Sequence, residues 1–142
     1  MLHVAFKVAG AAYVLPASAV LHLESFEGAT KVPGTADAVA GLLHSRGQLI
    51  PVVDLRVRFG LPAGARSLDS RVIVVQVKSR TVGLLVDSAR EVLDLDEDAF
   101  HDPPELINEQ AAGLIQAVAQ TAERIVILLD LPKLIGEKAH AK

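Results

Sequence analysis

GLLHSRGQLIPVVDLRVRFG, residues 41 to 60, decides the reading of this chain, because its outline returns as GLIQAVAQTAERIVILLDLPKLIG at 113 to 136. Each copy opens Gly-Leu-Leu/Ile, climbs through a strand-like apolar run and ends in Asp-Leu. A closing glycine follows six residues after that aspartate, Asp54 to Gly60 and Asp130 to Gly136. Two copies at this distance imply two similar halves, since solenoids stack three or more shorter repeats. Arg46-Gly47 fills the turn of the first copy, and Gln120-Thr121-Ala122-Glu123 stands there in the second. The fold needs the outline twice; the arginine is needed once.

The 142 residues fit one domain or two small halves sharing a core. Hydrophobic residues make up 51% and charged residues 22%, a globular and rather apolar composition. A net charge of −3 and a pI of 5.9 give no electrostatic footprint for nucleic acid or anionic lipid. The absence of cysteine removes disulfides, thiol catalysis and cysteine zinc sites together. MLHVAFKVAG lacks the charged and long apolar regions of a signal peptide, and no apolar run approaches the about 18 residues that cross a bilayer. A cytoplasmic protein is the expectation.

Outward from the repeat, short Val/Ile/Leu runs are punctuated by turn residues. Leu2 to Val8 and Ala12 to Pro16 read as a hairpin turning at Gly10 in a positive-φ conformation. Ala17 to Val20 makes one turn, and Leu21 to Glu24 alternates as a half-exposed strand. Pro33-Gly34 marks a turn, after which Thr35 or Asp37 could cap a single helical turn leading to Gly41. Leu42–His44 and Gln48–Asp54 form a hairpin in which Pro51 requires an edge or a bulge. Leu55–Phe59 is a short helix stopped by Gly60. Arg71–Val77 and Thr81–Val86 form another hairpin, and Ser88–Ala89 turns into Arg90–Leu95. His101 to Pro104 is an extended loop, since each proline biases its predecessor away from helix. Many short strands argue for β-barrels, and the duplication for two of them, crossing near Gly64-Ala65-Arg66-Ser67 within 60–70.

No set of residues converges on a chemistry. His3, His22, His44, His101 and His140 show no metal-ligand spacing. Asp94, Asp96, Glu97 and Asp98 lack the glycine and distal glutamate of a calcium loop and read as a solvated acidic turn. Ser88 follows Asp87 with no nearby histidine, and the glycines stand singly at turns. Arg46 has two readings: a solvated loop arginine, or a fork-shaped donor that orders loops or grips a partner carboxylate. Asp54 and Asp130 recur at corresponding places, as caps of the short helices that follow would.

With Gly41-Leu42-Leu43-His44-Ser45-Arg46-Gly47 leading into Pro51-Val52-Val53-Asp54-Leu55, the chain resembles the CheW family of bacterial chemotaxis coupling proteins. Val82-Gly83-Leu84-Leu85-Val86-Asp87, then Glu91-Val92-Leu93, Pro103-Pro104, Gly113 and Leu128-Leu129-Asp130-Leu131 match its remaining landmarks, from about Val4 to Ile135. The resemblance implies an all-β fold with a few short helices, two five-stranded SH3-like β-barrel subdomains around a shared core, in a single domain over 1–142. It implies no catalytic residue, metal or cofactor. The implied partners are the histidine kinase CheA, through its CheW-like regulatory domain, and the cytoplasmic tip of chemoreceptors. Carried over by position, the partner-binding set is Val20, His22, Gly41, Arg46, Gly47, Gly83, Val86 and Asp87. The chain departs from the family pattern at His44 (usually asparagine), Ser45 (usually leucine) and His22, where an acid often stands; Glu24 or Asp87 could supply that acid, or Arg46 could be left free for a partner. Two alternatives remain at this stage: a CheW-like adaptor of a sensory array for pili, gliding or development, and a small metal-dependent hydrolase barrel built from His22, His44 and Asp87.

Overall fold

Eleven strands and three short helices make up the protein in a computed structural model that describes residues 1–64 and 67–136. Ala65 and Arg66 of the expected crossing, and His140, lie outside the described residues. In chain order the strands are β1 Leu2–Val8, β2 Ala11–Pro16, β3 Val20–Ser25, β4 Val39–Ser45, β5 Gln48–Asp54, β6 Arg71–Val77, β7 Arg80–Val86, β8 Ser88–Asp94, β9 Phe100–His101, β10 Ile115–Gln120 and β11 Ile125–Leu129. The helices are α1 Leu55–Arg58, α2 Glu105–Gln110 and α3 Leu131–Leu134. The fold class is all-β.

Two sheets result, one of six strands in the order β8-β1-β2-β11-β10-β9 and one of five in the order β3-β6-β7-β5-β4. Sheet membership does not follow the sequence repeat. The first hairpin, β1–β2, joins the C-terminal strands, and the second, β6–β7, joins β3 to β5. Short parallel ladders make each join: Val126–Leu128 against Ala12–Val14, and Val52–Asp54 against Gly83–Leu85. Each half of the repeat thus lends its hairpin to the other half's strands.

The expected pair of five-stranded barrels is corrected to two sheets, six- and five-stranded, neither closed by a backbone ladder among the described residues. In the five-stranded sheet the edges β3 and β4 share no ladder and meet through side chains instead. The helical turn expected after Thr35 or Asp37 is also absent: the Thr35 hydroxyl donates backwards to the Val32 carbonyl at 2.9 Å, and the chain enters β4 at Val39. Pro51 sits in an interior strand, yet it lies just ahead of the three-residue β5–β7 ladder, so no partner asks for its missing N–H. The chain enters β8 directly at Ser88, without the turn expected there.

Near-continuous apolar strands reflect burial on both faces. On β6, Ile73 and Val75 point into one cluster and Val72 and Val74 into another. The first cluster is shared by both sheets: Phe6, Val8 and Leu15 come from one, Ile73, Val75 and Leu84 from the other. Leu55 of α1 and Leu131 and Leu134 of α3 complete it. Asp54 and Asp130 cap these helices as the repeat implied, accepting from Arg56 N at 2.9 Å and Lys133 N at 3.1 Å. Gly60 and Gly136 end them with backbone bonds to Val57 and Lys133. Arg58 ties the two helices together, donating to the Leu134 and Lys133 carbonyls at 2.8 and 2.9 Å.

Candidate interaction surface

The β4–β5 turn is built from two residues, with Ser45 opposite Gln48 and with φ of 50° at Arg46 and 80° at Gly47. Positive φ at both central positions is the hairpin turn whose twist matches the flanking strands, and glycine meets it at no steric cost. Arg46 is exposed at this tip, and the exposed Leu49 lies two residues beyond Gly47. In the second copy the connection is longer, and the Thr121 hydroxyl organises it by donating to the Arg124 carbonyl at 2.9 Å. The arginine is therefore dispensable to the repeated outline.

Behind the tip, Gly41 has φ 143°, and a Cβ there would stand 2.3 Å from the Thr30 carbonyl oxygen. Thr30 and Leu42 exchange backbone hydrogen bonds of 2.9 and 2.8 Å at this point. Gly41 thus lets the segment before β4 lie flat on the strand. Gly83 serves packing: a Cβ would meet Val72 Cγ1 at 2.7 Å.

Three polar side chains bridge the open seam. On β3, Val20, His22 and Glu24 share the half-buried face, while Leu21 and Leu23 turn outward. Ser45 Oγ donates to Glu24 Oε2, and His22 Nε2 lies 2.6 Å from the same oxygen and 3.4 Å from Ser45 Oγ. The Ser45 hydroxyl, and after it the His22 ring and the Arg46 charge, hold the Glu24 carboxyl below the usual carboxylate range.

Asp87 belongs to a different constellation. Arg56 grips it with Nε to Oδ1 at 2.8 Å and Nη2 to Oδ2 at 2.7 Å, and Ala9 N donates to Oδ2 at 2.9 Å. The guanidinium holds the Asp87 carboxyl low, and the Asp87 carboxylate raises Arg56 in turn. This pair joins the β1–β2 turn, α1 and the point where the chain leaves one sheet for the other. Counted from the matched Asp54 and Asp130, the position of Arg56 is taken by Pro132 in the second copy, so Arg56, like Arg46, stands in one copy alone.

Of the eight residues expected to bind partners, Arg46 and Gly47 are exposed, Val20, His22 and Asp87 half-buried, and Gly41, Gly83 and Val86 buried. The structure brings His22 to the Arg46 hairpin and keeps Asp87 with Arg56. Arg56 and Ser45 escaped the sequence reading as functional positions. The same once-only test that singled out Arg46 would have found Arg56. His44 is exposed on β4, and Asp87 is committed to Arg56, so the hydrolase site imagined from His22, His44 and Asp87 is not assembled. Among the described residues no three His, Asp or Glu groups gather to hold a metal, and no helix is long and apolar enough to cross a membrane. An apolar recess of about 280 Å³ opens beside the tilted ring pair Tyr13 and Phe59 (ring centroids 5.2 Å apart), lined by Leu114, Ile115 and Leu129.

A family model described as a CheW-like domain matches residues 3–139. The chain is 26% identical to the chemotaxis protein CheW of Bacillus subtilis over 136 residues, covering 96% of this chain and 87% of that protein. It is 29% identical to the chemotaxis protein CheW of Rhizobium meliloti over 128 residues, covering 90% and 83%. Among solved structures it superposes on the scaffolding protein TtCheW of Thermoanaerobacter tengcongensis with a TM-score of 0.85 and 32% identity, covering 94% of this chain and 86% of that one.

Proposed function

The chain belongs to the CheW-like domain family, and we propose that it is the chemotaxis adaptor that couples chemoreceptors to the histidine kinase CheA, working in the cytoplasm at receptor arrays. It is a scaffold, not an enzyme: what it contributes is the geometry of its surfaces. The observation that carries the reading is likeness along nearly the whole chain, 94% of it at a TM-score of 0.85, to the scaffolding protein TtCheW. The geometry suits such work. Exposed strand edges, outward leucines on β3 and an apolar recess offer contact area, and the isolated guanidinium at the β4–β5 tip offers a directional donor. Gly41, Gly47, Gly83 and Val86 support that tip and the sheet beneath it, whereas Val20 and His22 line the seam beside it. Asp87 acts through Arg56, fixing the junction between the sheets. Reconstitution tests the reading: the purified protein added to receptor-bearing membranes and the kinase should bring kinase activity under receptor control. If the kinase responds equally without the protein, the proposal fails.

A further inference from the structure

Glu24 stands beside a cation it does not grip. It lies on β3, facing the β4 edge across the open seam, and its side chain is 24% exposed, that of His22 13%. A carboxylate so placed needs donors, because a half-buried acceptor left unsatisfied costs more than a hydrogen bond gains. It takes them from Ser45 Oγ and His22, while Arg46, the residue next to Ser45, acts on it only through the field of its charge. Among the described residues no carboxylate forms a salt bridge with Arg46. The weaker donors are satisfied and the strongest one nearby is left over.

We infer that Ser45 and His22 are positioning residues that hold the Glu24 carboxylate on the β3–β4 seam, and so keep the Arg46 guanidinium open for an acidic group of the partner. The two donors occupy the acid from the side of the seam. Remove one, and the planar fork of Arg46, which pairs with carboxylates in bidentate fashion, becomes the best replacement. An arginine captured within its own chain is unavailable to a partner. If capture reaches about nine molecules in ten, the apparent affinity falls about tenfold, since only the open fraction binds. The functional half of this inference rests on the reading of Arg46 as a partner contact; the positioning half does not.

The test uses the full chain in two measurements. Hydrogen exchange of the Arg46 side-chain Nε–H, followed by NMR without any partner, reports whether the guanidinium is captured. Titration with the regulatory domain of the kinase reports affinity. Ser45→Ala should slow the exchange and weaken binding about tenfold, and Ser45→Ala combined with Glu24→Gln should restore both, because the neutral amide no longer attracts the fork. His22→Ala, which removes the other donor, should shift both readouts in the same direction and serves if Ser45→Ala does not fold. Unchanged exchange in a folded Ser45→Ala variant overturns the inference. So does weakened binding that Glu24→Gln fails to rescue, which would make Ser45 merely structural. Slowed exchange with unchanged affinity upholds the positioning role and refutes instead the reading of Arg46 as a contact.

Discussion

Truncating Leu55 to alanine tests whether the two sheets fold as one body. Leu55 is fully buried, at 0% exposure, in the cluster that holds side chains of both sheets and of α3. Its helix follows β5 of the five-stranded sheet, yet the same cluster contains Phe6, Val8 and Leu15 of the other. Leucine-to-alanine changes at such sites cost about 2–5 kcal/mol, the transfer term plus that of a cavity that cannot collapse. Closely packed β strands on both sides limit collapse, so about 3 kcal/mol is the expected loss. For a chain of this size that lowers Tm by roughly 10 °C. Chains of about 70 residues build only marginal cores alone, and here each repeat half has given its first hairpin to the other. A single transition should therefore move as a unit. The assay is thermal unfolding by circular dichroism, paired with hydrogen exchange of Val14 on one sheet and Val74 on the other. Both amides should lose protection equally. Loss confined to Val74, or two separated transitions, would refute a shared core.

Gly41→Ala should destabilise by about 1–3 kcal/mol from its φ alone, with more from the Thr30 contact; chemical denaturation reads the loss, and an unchanged midpoint would contradict the geometry at Gly41. Arg46→Asn should leave stability unchanged or raise it by up to about 1 kcal/mol, because asparagine accepts the left-handed turn conformation more readily than arginine. The same variant should lose about 2 kcal/mol of affinity for kinase or receptor, and normal binding to both would make Arg46 structural. Asp87 has a carboxyl held low by Arg56, so its contribution to stability is present above the ordinary carboxylate pKa and is lost as pH falls through its lowered folded value. Asp87→Asn should then flatten the decline in stability on acidification below about pH 4; an unchanged slope in denaturant titrations would show that the pair contributes nothing.

Local chemistry was well written in the sequence, because it depends on neighbours in the chain. Gly10, Gly47 and Gly60 stand at positive φ where turns and a helix end were expected, and Asp54 and Asp130 cap the helices that follow them. What the sequence hid was pairing between distant segments. The repeat shows that two halves exist but says nothing of which hairpin joins which strands, since β1–β2 and β6–β7 are equally apolar on both faces. Barrel closure was overestimated for a related reason. Whether β3 and β4 share a ladder depends on sheet curvature, and here polar side chains span the gap that a ladder would otherwise close. At the candidate surface, the once-only Arg46 was legible, and so was the displacement of the acid from position 22. That Glu24 takes its donors from Ser45 and His22, and that Asp87 goes to Arg56, needed the fold.

An adaptor must hold both partners at once, and that property gives the most direct test. The full-length protein, its kinase's regulatory domain and a soluble fragment carrying the receptor tip should be mixed in pairs and together, and followed by calorimetric titration and sedimentation. Each partner should bind the protein alone, neither should displace the other, and a complex of all three should form. Binding of neither partner, or mutually exclusive binding at one surface, would contradict the adaptor role.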